Sequence, residues 1–133
     1  MGDLVTISVK MPRSLRFLLE RVSETLGMKR SKILRLAVSQ ALSDGIKGIS
    51  QYAYEVDGYD VIITFKVPLS MKKELKRMAR ANMVSASEIV RLSLVRLIRT
   101  LTPYEDNSVV YGTLPSPAEP SVSAVALTQG VVP

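Results

Sequence analysis

Two stretches of the chain, residues 5–11 and 61–67, alternate apolar and polar side chains. Alternation of this kind is typical of a β-strand with one buried face and one free face. The apolar positions predicted to be buried are Val5, Ile7, Val9, Val61, Ile63 and Phe65. The pattern therefore predicts two short strands, each packed on a core by one face only.

Each predicted strand is followed by two apolar stripes at helical spacing. Pro12 and Pro68 end the strands and suit the first turn of a helix, where an amide hydrogen has no intrahelical partner. The first helices carry Leu15, Leu18, Leu19, Val22 and Leu26, or Met71, Leu75 and Met78; the second carry Ile33, Leu34, Ala37, Val38, Ala41 and Leu42, or Ile89, Val90, Leu94, Leu97 and Ile98. The order strand, helix, turn, helix is thus predicted twice.

The turns between these helices differ in their predicted capping. Ser85 and Glu88 form a capping-box pattern, which predicts a helix start at Ser85. Lys29 stands in the same place in the first copy and cannot accept an amide hydrogen bond, so either Ser31 caps that helix or its start is left to solvent or to a bound anion.

Methionines, including Met71, Met78 and Met83, are expected to fill the core.

The chain is one unit written twice. A shift of 56 residues aligns residues 5–44 with 61–100 without a gap. We therefore divide the chain into a first unit at 1–44, a linker at 45–60, a second unit at 61–101 and a Pro-rich C-terminal tail at 102–133. The linker is predicted to be a simple connector. The tail is predicted to be flexible or ordered by a partner, with 109–114 and 122–127 as candidate short strands.

Charge and composition narrow the function. All 18 Lys and Arg lie in residues 1–100, which suits an anionic partner such as nucleic acid. The chain has no Cys and no His, which excludes thiolate and imidazole catalysis and the usual zinc sites. We expect no cofactor, no metal, no small-molecule substrate and no enzymatic activity. Without a signal peptide or an apolar run long enough for a bilayer, we expect no membrane contact and a cytoplasmic location.

Neither unit can fold alone, because a lone strand leaves its backbone unsatisfied and two short helices leave apolar stripes open. The predicted solution is a mainly α fold with a short antiparallel β-ribbon over four helices. One face of the ribbon is then buried, and the other presents Thr6, Ser8, Lys10, Ile62, Thr64 and Lys66.

Both copies resemble the ribbon-helix-helix family of DNA-binding regulators. The resemblance rests on the strands ending in Met11-Pro12 and Val67-Pro68, on the turn Leu-Gly-Met-Lys-Arg-Ser-Lys-Ile-Leu-Arg at 26–35, and on Asn-Met-Val-Ser-Ala-Ser-Glu-Ile-Val-Arg at 82–91. The resemblance covers about 80 residues. The presence of both copies in one chain is similar to tandem regulators of archaeal viruses, which implies the host cytoplasm as the location if the chain is viral. It also implies that the two units form an intrachain pseudo-dimer.

The resemblance implies a DNA interface made of two sets of residues. Ribbons of this family enter the major groove, so the base-reading residues would be Thr6, Ser8, Lys10, Ile62, Thr64 and Lys66. Backbone amides at the start of the second helices bind phosphate, which assigns Lys29, Arg30, Ser31, Ser85, Ala86 and Ser87 to phosphate contacts. The unlike halves predict an imperfect palindrome or a directional site. Arg35 and Arg91 are assigned instead to acids of the first helices or to apolar surface, and Lys72 to a solvated face near phosphate.

Three functions are compatible with this sequence. The first is a sequence-specific transcriptional regulator of double-stranded DNA, such as a repressor. The second is an antitoxin-like autoregulator whose tail, 103–133, binds a partner protein. The third is a protein that coats DNA without sequence preference. Self-association of several pseudo-dimers along DNA is compatible with each of them.

Overall fold

The computed structural model describes residues 3–54, 56, 58, 61–101 and 112–113. Its elements are the strands β1 (Leu4–Met11), β2 (Tyr52–Ala53), β3 (Val61–Pro68) and β4 (Gly112–Thr113), and the helices α1 (Arg13–Leu26), α2 (Arg30–Asp44), α3 (Leu69–Ala81) and α4 (Ala86–Leu101). A short 3-10 turn covers Ile46–Gly48. The described chain is therefore mainly helical with short antiparallel strand pairs, which confirms the coarse fold class predicted from the sequence.

Strands β1 and β3 pair with each other in an antiparallel two-stranded ribbon. Their burial alternates as predicted for Ile7, Val9, Ile63 and Phe65, which are buried between exposed residues, whereas Val5 and Val61, also predicted to be buried, are half-buried. Each buried aliphatic side chain contributes roughly 1.5–3 kcal/mol relative to exposure, so this face holds the ribbon on the helices.

The ribbon packs across the two repeats. Strand β1 packs against α3 and α4 of the second repeat, whereas β3 packs against α1 and α2 of the first repeat and against α3. Helices α2 and α4 pack against each other beneath the ribbon. Because the strand of each repeat is covered by helices of the other, neither repeat buries its own apolar surface by itself.

Helices α1 and α3 both begin directly after a proline. Pro12 has φ −60° and ψ 146°, and Pro68 has φ −59° and ψ 148°. Proline fixes φ near this value and has no amide hydrogen to leave unpaired at a helix start. The buried stripes of these helices are Leu15, Leu18, Leu19 and Val22 in α1 and Leu75, Met78 and Ala79 in α3. Of the other residues predicted for these stripes, Leu26 is 43% exposed and Met71 is half-buried.

The two helix-helix turns share a left-handed residue and a closing hydrogen bond, although α3 ends one residue earlier than α1 does. Gly27 ends α1 at φ 65°, and Met83 has φ 58° at the equivalent position. The closing hydrogen bonds also correspond, with Met28 N donating to Ser23 O at 3.1 Å and Val84 N to Ala79 O at 3.0 Å. The assignment of Met83 to the core is wrong: its side chain is 93% exposed, because the left-handed turn directs it to solvent.

Helices α2 and α4 form the centre of the core. Their buried apolar residues are Ile33, Leu34, Ala37, Val38 and Ala41 in α2, and Ile89, Val90, Leu92, Leu94, Val95, Leu97 and Ile98 in α4. The burial of α4 is more extensive, and this helix also packs against β2 and β4. Leu92 is 9% exposed, whereas Leu36, at the equivalent position of α2, is 41% exposed.

The described residues of the linker, 45–54, 56 and 58, do more than connect the two repeats. Ile49 is fully buried in the core, and Tyr52 and Tyr54 pack against it. Strand β2 pairs with β4, so Gly112–Thr113 of the C-terminal segment lies beside the linker. This pairing falls within the candidate strand at 109–114; the other candidate, 122–127, lies outside the described residues, as does the remainder of 102–133.

Among the described residues, no helix has the length and apolar character required to cross a membrane.

Candidate nucleic-acid interface

All six predicted base-reading residues lie on the exposed face of the β1–β3 ribbon. Thr6, Ser8 and Lys10 alternate with buried residues along β1, and Ile62, Thr64 and Lys66 do the same along β3. Because successive side chains of a strand point to opposite faces, each set of three lies on one line. The pairing of the strands brings both lines together on one surface.

The register of the ribbon is centred on Ser8 and Thr64. These residues are direct partners, and each is the equivalent of the other in the 56-residue repeat. Their hydroxyl oxygens lie 3.2 Å apart, within hydrogen-bond distance. Thr6 pairs with Lys66 and Lys10 with Ile62, so equivalent residues lie at equal distances along the strands from this central pair.

The exposed face offers mixed chemistry. Lysine ammonium groups donate to guanine O6 and N7, and the hydroxyls of Thr6, Ser8 and Thr64 donate or accept. Ile62 is 61% exposed although it is fully apolar. An apolar side chain of this kind in the groove contacts the thymine methyl group. Since Thr6 is the equivalent of Ile62, the two ends of the face differ in chemistry.

The start of α2 is uncapped. Lys29 occupies the N-cap position in an extended conformation, with φ −66° and ψ 146°, and among the described residues no side chain makes a capping hydrogen bond there. Ser31 is half-buried within the helix and is not the cap. Arg30 Nη1 contacts Glu20 Oε2 of α1 at 3.2 Å, and Arg16 Nε contacts the same oxygen at 3.0 Å. The sequence allowed either capping by Ser31 or a helix start that is left to solvent or to a bound anion. The first alternative is excluded, and the second remains.

The start of α4 is capped as predicted. Ser85 Oγ accepts a hydrogen bond from Glu88 N at 3.0 Å. The carboxylate of Glu88 instead accepts hydrogen bonds from Tyr54 Oη at 2.6 Å and from Arg91 Nη2 at 3.1 Å. Ser85 is exposed, and Ala86 and Ser87 are half-buried. The two predicted phosphate sites therefore differ, because only the first presents an uncapped helix end, in a cleft lined by Arg16, Lys29 and Arg30 together with Glu20 and Glu24.

Two clefts connect the predicted phosphate residues with the ribbon. The larger, about 740 Å³, is lined by Lys29, Arg30 and Ser31 of the first repeat together with Ile62 and Thr64 of β3. The smaller, about 230 Å³, is lined by Ala86 together with Thr6 and Ser8 of β1. Each second-helix start therefore lies beside the strand of the other repeat. At each edge of the ribbon, predicted phosphate residues therefore lie next to predicted base-reading residues.

Two arginines that sequence reasoning left out of the site bind the ribbon backbone. Arg35 Nη1 donates to Lys66 O at 3.1 Å, and Arg91 Nη1 donates to Lys10 O at 2.7 Å. The assignment of these arginines to acids of the first helices is therefore corrected, because Arg35 binds the Lys66 carbonyl and Arg91 pairs with Glu88 of its own helix. Their identity at equivalent repeat positions was the available signal, but helical periodicity does not indicate a partner on a distant strand.

Two more residues contact the same region: Tyr54, which sequence reasoning missed, and Lys72, which it placed on a solvated face near phosphate. Tyr54 Oη accepts a hydrogen bond from Arg91 Nε at 2.6 Å, and the guanidinium carbon of Arg91 lies 5.9 Å from the centre of the Tyr54 ring. Lys72 Nζ donates to Thr6 O at 3.1 Å, which places this lysine at the edge of β1. The ribbon backbone is therefore bound by cationic side chains from α2, α3 and α4.

Among the described residues, no three His, Cys, Asp or Glu side chains form a group that could hold a metal ion. Comparisons with protein-family models, with curated proteins and with solved structures found no match to this chain.

Proposed function

We propose that this protein is a sequence-specific double-stranded DNA-binding regulator that inserts the β1–β3 ribbon into the major groove. The observation that carries the proposal is the exposed face of the ribbon, where Thr6, Ser8, Lys10, Ile62, Thr64 and Lys66 form one surface. A two-stranded ribbon is of a size that the major groove admits, and these side chains match the donors, acceptors and methyl groups of base edges.

The proposal includes an intrachain pseudo-dimer of two ribbon-helix-helix units. It is supported by the register centred on Ser8 and Thr64 and by the packing of each strand against helices of the other repeat. In such an arrangement one chain supplies both halves of the DNA-binding surface. The DNA site then reflects the pseudo-symmetry of the ribbon, with two related but unequal half-sites.

Phosphate binding in this proposal comes from the start of each second helix. Lys29, Arg30 and Ser31 serve one flank of the ribbon, and Ser85, Ala86 and Ser87 serve the other. The uncapped start of α2 favours the stronger contact because its free amide hydrogens and the helix dipole both attract an anion.

Selection of bound fragments from random double-stranded DNA, followed by footprinting, tests this function. We expect a defined site with two unequal halves, bound at least about a thousandfold more tightly than random DNA at physiological salt. Enrichment of no sequence, together with equal affinity for all duplexes and a steep salt dependence, would favour the alternative in which the protein coats DNA.

Deletion of residues 114–133, which keeps strand β4 beside β2, tests the antitoxin alternative. A regulator that acts through the ribbon retains its affinity for the selected site, and copurification from its native source yields no protein that depends on this segment. Loss of a stoichiometric partner from the deleted chain, with DNA binding unchanged, would favour the antitoxin-like function.

A further inference from the structure

Three cationic side chains bind carbonyl oxygens of the ribbon, and two of them occupy equivalent positions. Arg35 of α2 binds Lys66 O of β3, and Arg91 of α4 binds Lys10 O of β1. The two arginines are equivalent in the repeat, and so are the two lysines. One contact is therefore made twice, from the second helix of each repeat to the strand of the other repeat.

These bonds lie at the open edges of the ribbon. In a two-stranded antiparallel pair, alternate residues direct their amide and carbonyl groups away from the partner strand. The carbonyls of Thr6, Lys10 and Lys66 accept bonds from helical side chains, which identifies these residues as members of the outward set. In β1 and β3, the residues whose backbone groups point away from the partner strand are also the residues whose side chains lie on the exposed face.

We propose that Arg35 and Arg91 are positioning residues, which fix Lys66 and Lys10 for base reading by holding the backbone carbonyl of each lysine. This inference rests on the proposed function. A strand bound along one side only can twist or slide on its apolar face, and a shift of one ångström moves a lysine ammonium out of hydrogen-bond range of a base. A guanidinium donor to the carbonyl of the same residue limits that movement.

Neighbouring side chains hold the two arginines to different degrees. Arg91 is buried, pairs with Glu88 at 3.1 Å, and hydrogen-bonds Tyr54 Oη. Arg35 is half-buried, and Lys32 stands where Glu88 stands in the second repeat. A lysine cannot hold a guanidinium as the carboxylate does. Lys10 is therefore held more firmly than Lys66, and the hydroxyl of Tyr54 acts on Lys10 alone.

The first experiment observes the free protein by nuclear magnetic resonance. We expect Arg35→Met to shift the carbonyl carbon of Lys66 and the amide of Val67 while leaving Lys10 unchanged. Tyr54→Phe is expected to shift the carbonyl carbon of Lys10 while leaving Lys66 unchanged. Unchanged lysine carbonyls in both variants would overturn the proposal, and this measurement does not depend on DNA.

The second experiment measures binding of the same variants to the selected site and to a scrambled duplex. We expect Arg35→Met to weaken binding to the selected site roughly three- to tenfold, the loss associated with one hydrogen bond, and to leave both the scrambled duplex and the salt dependence unchanged. Arg35→Lys, which keeps a donor, is expected to recover part of the loss. Equal losses on both duplexes with a shallower salt dependence would make Arg35 a phosphate contact and overturn the proposal.

Base substitutions assign each effect to one end of the site. We expect Arg35→Met to lose discrimination at the base pair that Lys66→Ala also affects, and Tyr54→Phe at the pair that Lys10→Ala affects. Loss of discrimination spread over the whole site would indicate a general structural role and contradict positioning. Failure of the proposed function has a different signature, because the unmodified protein would then bind selected and scrambled DNA equally while the carbonyl resonances still responded.

Discussion

Met83 adopts a left-handed backbone conformation at the position where Gly27 stands in the first repeat, with φ 58° against 65°. Gly27 caps α1 directly, whereas Met83 follows the cap residue Asn82 of α3, and the closing amide bonds after Gly27 and Met83 match to within 0.1 Å, at 3.1 Å and 3.0 Å. The two repeats therefore share the left-handed conformation at this position although the residue types differ. Its conformation is easy for glycine and strained for methionine.

We predict that Met83→Gly stabilises the protein. A left-handed conformation costs a residue with a Cβ about 1–2 kcal/mol, whereas glycine costs about 0.5–1 kcal/mol in chain entropy, so the expected gain is about 0.5–1 kcal/mol. Urea denaturation gives the free energy of unfolding. Gly27→Ala is the matched control and is expected to lose about 1 kcal/mol from conformation alone, since a Cβ there meets no atom within 4 Å. A less stable Met83→Gly variant would show that the turn is not strained.

Two neighbouring isoleucines of β3 provide a test of the buried and exposed faces. Ile63 is 7% exposed and Ile62 is 61% exposed. We predict that Ile63→Asp unfolds the protein, because an unpaired charge beneath the ribbon costs several kcal/mol against a marginal total stability. Ile62→Asp, its matched control, is expected to stay folded and to lose DNA binding. Circular dichroism and gel filtration distinguish these outcomes, and a folded, monomeric Ile63→Asp variant would contradict the packing of the ribbon.

Lys10 and Lys66 are predicted to discriminate between bases. Replacement of either lysine by alanine is expected to weaken binding to the selected site by about 1–3 kcal/mol and to relax selectivity at one base pair. Lys47, an exposed lysine of the linker, provides the control, and Lys47→Ala is expected to leave discrimination unchanged. Titrations against a panel of single base-pair variants measure both quantities. Equal losses on every duplex would assign Lys10 and Lys66 to the phosphate backbone.

Ile62 is predicted to contact a thymine methyl group in one half-site only. Replacing that thymine by uracil removes the methyl group and is expected to cost about 0.8 kcal/mol, the transfer free energy of one buried carbon. Ile62→Ser is expected to abolish this sensitivity, whereas Thr6→Ser, at the equivalent position, leaves it intact. Binding that tolerates uracil at every position of the site would eliminate this contact.

Much of the ribbon and its helices can be predicted from the sequence. Alternation along residues 5–11 and 61–67 identifies the strands, and Pro12 and Pro68 identify the starts of α1 and α3. Ser85 was also predicted to cap α4, and its hydroxyl accepts the amide hydrogen bond of Glu88. These features depend on local backbone geometry and side-chain periodicity, which neighbouring residues are sufficient to specify.

The remaining features depend on contacts between distant residues. The bonds from Arg35 to Lys66 and from Arg91 to Lys10 join residues 31 and 81 positions apart, and no periodic pattern indicates such partners. Met83 looked like a core residue because it is apolar, yet the backbone of its turn directs it outward. The burial of Ile49 was missed for a related reason, since a connector without periodicity gives no sign that it covers the core.

Mapping of the DNA contact on the protein tests the central claim most directly. The measurement is the change in backbone amide and side-chain methyl resonances when the selected duplex is added to the isotopically labelled protein. We expect the largest changes at Thr6, Ser8, Lys10, Ile62, Thr64 and Lys66, with intermolecular contacts from Ile62 to major-groove protons. Changes confined to other surfaces, with these six residues unaffected at saturation, would contradict the proposal that the ribbon reads DNA.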